Sequence, residues 1–124
     1  MNEQYIPGTY NIGPEEIAIR RRVGHVGVAV TAALAAGLLR SGLHPAWRLS
    51  LAVPAAGAAS GYLQARQRFC ADFGFRGVYN FERRGLEQQV AGDQAKAQDR
   101  RRARQITAAS AAIGLGVALV AMSL

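Results

Sequence analysis

The chain has 124 residues, room for one domain at most. Half of the residues are apolar but only 7% are aromatic, and 14 are Gly, a balance that suits helices packed backbone to backbone in lipid better than a soluble core of Leu, Ile, Phe and Val. The net charge is +7, with 15 Lys plus Arg against 8 Asp plus Glu, and the single cysteine, Cys70, excludes an intramolecular disulfide.

Mean hydropathy near zero hides a block structure in which apolar runs alternate with strongly basic ones. Residues 1–22 do not read as a signal peptide, because the first apolar run begins only at Val23. Pro7-Gly8 predicts a tight turn, and Asn11-Ile12-Gly13-Pro14 punctuates the chain again. Pro14 suits the first position of a helix, with Glu15 and Glu16 complementing its positive dipole end. That helix is expected to run straight through Arg20-Arg21-Arg22 into a first membrane span at residues 23–39, 17 residues without a charge.

The connection at residues 40–47 holds Gly42 and Pro45 and joins antiparallel neighbours. Trp47 sits where an interfacial anchor belongs. The second span, residues 49–65, is the most polar, with Ser50, Ser60, Tyr62 and Gln64 inside it. Pro54 predicts a kink there, and the polar content predicts a helix shielded by other helices.

Residues 66–105 form a basic segment. Its first half interleaves Arg66, Arg68, Arg76, Arg83 and Arg84 with aromatics, of which Phe69 and Phe73 are expected, with Trp47, as interface anchors. Gly74 and Gly77 are expected to break helix. Residues 86–105 read as a solvated helix without an apolar stripe, continuing into a third span at 106–124.

If residues 1–22 and 66–105 share one side, that side holds 13 of the 15 basic residues, leaving Arg40 and Arg48 opposite. The positive-inside rule then gives an all-α integral membrane protein with three transmembrane helices, N-in/C-out: a cytoplasmic arm (1–22), a hairpin (23–65), a basic cytoplasmic segment (66–105) and a last helix (106–124). Arg20, Arg21, Arg22, Arg66, Arg68, Arg100, Arg101, Arg102 and Arg104 are expected to set topology and touch anionic lipid headgroups. Because each cluster abuts an apolar run, nucleic acid is not an expected partner. The bias to Arg, Ala and Gly fits a GC-rich genome and a bacterial cytoplasmic membrane.

Small residues recur four apart as Ala29/Ala33/Gly37, Gly57/Gly61 and Ala108/Ala112/Gly116, and are expected to let helices approach closely, within the chain or against a partner. His25 and His44 fall at opposite ends of the first span, so they do not share a metal. No catalytic, cofactor or metal site is predicted. There is no P-loop, zinc pattern or nucleophile elbow, and the absence of an ionisable residue deep in any span argues against a transporter.

Asn11-Ile12-Gly13, the Arg cluster, two closely spaced spans and Phe69-Cys70 together resemble a family of small bacterial paired-helix membrane domains of unknown function, sometimes attached to rhodanese-type proteins. The resemblance covers residues 11–74 and implies the hairpin. Proline usually follows the family's cysteine, where this chain has Ala71, and the third span has no counterpart. The expected function is a non-catalytic accessory subunit of a larger membrane complex, with other membrane subunits and anionic lipids as partners. The alternatives are a free-standing membrane factor with a redox or thiol role for Cys70, and a soluble Ala-rich bundle.

Overall fold

The computed structural model describes residues 4–124. It is 71% helical and all-α, apart from one pair of two-residue strands. The elements in order are α1 (Pro14–Arg40), a 3-10 helix (Pro45–Leu51), α2 (Ala52–Gln67), α3 (Ala71–Arg76), β1 (Val78–Tyr79), β2 (Gln88–Gln89) and α4 (Asp93–Met122).

Helix α1 begins with Pro14 in its first turn and continues unbroken for 27 residues, about 40 Å at about 1.5 Å per residue. Helix α4 continues for 30 residues from the basic segment into the last apolar run. These two helices are long and apolar enough to cross a membrane. Helix α2 has 16 residues, about 24 Å, short of a bilayer core of about 30 Å. The expected second span therefore does not form as one α-helix: residues 49–51 belong to the 3-10 helix. Pro54 is the third residue of α2, close to the junction where the 3-10 helix passes into α-helix, rather than in the middle of the helix.

Helix α2 lies between α1 and α4 and packs against both. Gly61 meets Gly24 and Gly27 meets Ala58, so α1 and α2 are antiparallel. Gly114 meets Ala52 and Ala56, while Leu51 clusters with Ala118 and Ala121, so α4 is antiparallel to α2 and parallel to α1. The buried stripe of α4 reads Ala103, Ile106, Ser110, Gly114, Ala118 and Ala121, a spacing of three and four that keeps one narrow face of small residues inward.

The basic segment packs at the end where α1 and α4 begin. Ile12, Cys70, Phe73 and Val78 make one small core, and Tyr5, Tyr79 and Val90 another. Gly74 does not break the chain but lies inside α3, where an added Cβ would stand 2.9 Å from the Asp99 carbonyl oxygen. Gly77 ends α3 at φ 69°, as its conformational freedom predicts. The first part of α4 is not a fully solvated helix, since Asp99 and Ala103 are buried against α3 and the arm.

Candidate functional site at the basic end of the helices

The arm is tied down by two polar nodes. In the first, Asn11 clamps Cys70 from both sides: Nδ2 donates to the Cys70 carbonyl at 3.1 Å, and the Cys70 N–H donates to Oδ1 at 2.6 Å. The backbone of Asn11 is used as well, its N–H reaching the Arg68 carbonyl and its carbonyl accepting from the Asn80 N–H. Gly13 donates to the Asn80 carbonyl and has no space for a Cβ, which would fall 2.6 Å from the Phe81 oxygen. Helix α3 receives its first support from α2, where Gln64 accepts from the Ala71 N–H at 2.9 Å.

The thiol of Cys70, 1% exposed, accepts from Arg20 Nη2 at 2.8 Å. Arg20 also pairs with the buried Glu16 at 3.1 Å and lies over the Phe73 ring. Arg20 is thus an internal clamp, and its guanidinium faces protein rather than the headgroups expected of it. Phe69, 0% exposed, and Phe73 are core residues, which corrects their assignment as interface anchors: the turn at Arg68 (φ 54°) carries the chain back across the helix ends and buries both rings. Trp47, 61% exposed, remains at the surface of the opposite end.

The second node centres on Asp99, 0% exposed. Tyr5 donates to Oδ2 at 2.6 Å and the Gly8 N–H to Oδ1 at 2.7 Å, while Arg102 Nε donates to the Gly8 carbonyl at 3.1 Å. The Tyr5 ring stacks on Tyr79 at 4.7 Å. Burial pushes the Asp99 carboxyl above its ordinary range, against the opposing pull of the two hydrogen bonds it accepts. The same burial and the neighbouring carboxylate push the Tyr5 phenol up. At the surface, Arg76 holds Glu87 below the usual carboxylate range and also pairs with Asp72.

The other expected basic residues divide. Arg102 is partly buried against the arm, whereas Arg21, Arg22, Arg66, Arg68, Arg100, Arg101 and Arg104 are exposed. At the far end Arg48 donates to the carbonyls of Ala121 and Leu124, closing the last turn of α4, a role not foreseen from the sequence. His25 bonds Tyr62 across α1 and α2 at 2.7 Å, and His44 accepts from the Ala46 N–H at the start of the 3-10 helix. Among the described residues, no three His, Cys, Asp or Glu side chains gather as a metal site would require.

Of the small-residue positions, only Gly61 packs inside the chain as expected. Around Gly37, Gly57 and Gly116 an added Cβ would meet open space, and Ala33 and Ala112 are exposed. The internal seams use Gly24, Gly27 and Gly114 instead. Gly24 and Gly61, which touch, were separable from the rest only with knowledge of helix register. The small faces expected to pack are therefore largely turned outward.

No family model, curated protein or solved structure matches this chain.

Proposed function

We propose that the protein is a non-catalytic accessory subunit embedded in a bacterial cytoplasmic membrane, where it packs against larger membrane subunits. The observation that carries this is the outer surface of α1. Only 6% of its most apolar stretch is buried within the chain, and Val23, Val26, Val28 and Val30 all stand exposed. A soluble protein does not leave so continuous an apolar surface in water. Lipid covers it, and the open small-residue positions Ala33, Gly37, Gly57, Ala112 and Gly116 provide seats where a partner helix approaches closely.

The parallel course of α1 and α4 supports a third crossing. If both cross in the same direction, the chain between them must return through the membrane. The 3-10 helix and α2 supply that path: seven residues at about 2.0 Å and sixteen at about 1.5 Å reach about 38 Å. With 13 of the 15 basic residues at the end where α1 begins, that end is cytoplasmic and the orientation is N-in/C-out. A thiol-based role is less well supported, since Cys70 is buried and its backbone and sulfur are both engaged.

Mild-detergent extraction from native membranes followed by native sizing tests the reading. A chain of 13.2 kDa is expected to migrate within a much larger assembly. Migration as a detergent-bound monomer counts against an accessory role.

A further inference from the structure

Beside the arm, where α1 begins and α2 ends, the surface folds into an open cleft of about 820 Å³. Arg21 enters it from α1, and Arg66 and Arg68 from the end of α2. Ile6, Ile17 and Phe81 supply apolar wall, and among the described residues no acidic side chain lines it. Arg21 and Arg66 make no hydrogen bond or ion pair among the described residues. Arg68 has only the face of Tyr10, 5.8 Å from its ring centre. Three guanidinium groups thus share one concave space, and among the described residues none of them is paired with a carboxylate. Four of the chain's eight carboxylates are committed elsewhere: Glu16 on Arg20, Asp72 and Glu87 on Arg76, Asp99 on the arm.

Position supplies the second half of the argument. Arg21 stands two residues before the apolar run that starts at Val23, and Arg66 directly follows the last residue of the apolar part of α2. The cleft is therefore at the depth where lipid headgroups lie, with its walls continuing toward the acyl chains. Guanidinium forks match phosphate oxygens in geometry and charge. The volume lies within the range of about 300–1,000 Å³ of ordinary ligand sites.

We propose that this cleft holds the phosphate of one anionic phospholipid, with its glycerol and first methylenes against Ile6, Ile17 and Phe81. The assignment rests on the membrane reading above, because only an embedded chain brings the cleft to headgroup depth. It goes further than diffuse attraction between arginines and an anionic surface, since it names three of the exposed arginines and a single bound lipid.

The test is native mass spectrometry of the full chain in detergent, titrated with phosphatidylglycerol or with phosphatidylcholine of the same acyl chains. One phosphatidylglycerol is expected to be retained. Each cleft arginine contributes about fivefold, so R21Q/R66Q/R68Q weakens retention on the order of a hundredfold. The charge-matched R100Q/R101Q/R104Q is expected to retain the lipid. Equal losses in the two triple variants, or equal retention of phosphatidylcholine, would overturn the cleft. Glycerol 3-phosphate binding as tightly as the lipid would overturn the lipid assignment in favour of a soluble phosphate. If the cleft triple variant does not fold, R66Q alone carries the comparison, with a loss of about fivefold expected and no loss overturning the proposal. Carbonate washing of native membranes separates the two readings: release of the chain sinks the membrane reading, whereas retention without lipid preference sinks the cleft alone.

Discussion

Asn11 holds both backbone groups of Cys70, so truncating it leaves a buried N–H and a buried carbonyl without partners. Asn11→Ala is expected to cost about 2–6 kcal/mol, each of the two orphaned groups contributing about 1–3. Thermal melting of the purified chain in detergent checks this, and an unchanged melting temperature would mean the arm is not held as described. Asp99 makes a pH-dependent contribution whose sign follows from its raised pKa. The folded chain binds this proton more tightly than the unfolded chain, whose carboxyl titrates near 3.8. The stabilisation is complete below that value and is lost as pH rises through the folded-state value. The wild type should therefore lose stability relative to Asp99→Asn as pH rises from about 4, read from melting temperatures in a pH series. Parallel curves for the two proteins would contradict the burial of Asp99. Asn11 was legible in the sequence only as a turn residue and as part of a resemblance, not as a partner of Cys70, and Asp99 was not singled out. Asn11 sits in a turn-like run, and Asp99 is one acid beside three arginines; their roles arise from contacts across 59 and 94 residues of chain.

Helix register decides which glycines matter. A Cβ at Gly61 would fall 2.5 Å from the Gly24 nitrogen, backbone that has nowhere to move without parting α1 from α2. Gly61→Leu is expected to destabilise the chain by about 3 kcal/mol, at the upper end for overpacking. Gly57→Leu meets open space and should leave the melting temperature of the isolated chain unchanged. If Gly57 seats a partner helix, the same substitution weakens recovery of the partner instead, so the two glycines separate internal from external packing. The start of α1 at Pro14 and the unbroken run of α4 into the last apolar segment were legible, because Pro placement and strong helix formers act locally. The burial of Phe69 and Phe73 was not. Aromatics beside arginines at the end of an apolar run satisfy the pattern of an interface belt equally well, and only the left-handed residue Arg68 turns them inward. The start of α2 was placed three residues early because hydropathy does not distinguish a 3-10 lead-in from α-helix.

Across the whole molecule, the chain is a three-helix layer of narrow, small-residue seams with a compact basic cap at one end. The layer buries little of α1, and α2 sits in the middle, as its polar residues led one to expect. The cap uses Glu16, Asp99, Arg20 and Arg102 internally and leaves Arg21, Arg22, Arg66, Arg68, Arg100, Arg101 and Arg104 outside. The two-helix geometry that passes for membrane crossing, together with its parallel sense, makes a topology prediction. A reporter fused after Leu124 and active only outside the cytoplasm should be active, and one inserted at Gly85, a turn with φ 92° and open space around it, should be inactive. Activity at both sites would contradict the return crossing through α2. The proposed role as an accessory subunit is met most directly by pulling the tagged chain from its native membrane in mild detergent and quantifying what accompanies it by mass spectrometry. The account predicts larger membrane subunits in fixed stoichiometry, with their yield reduced by Gly57→Leu. Recovery of the chain alone would contradict it.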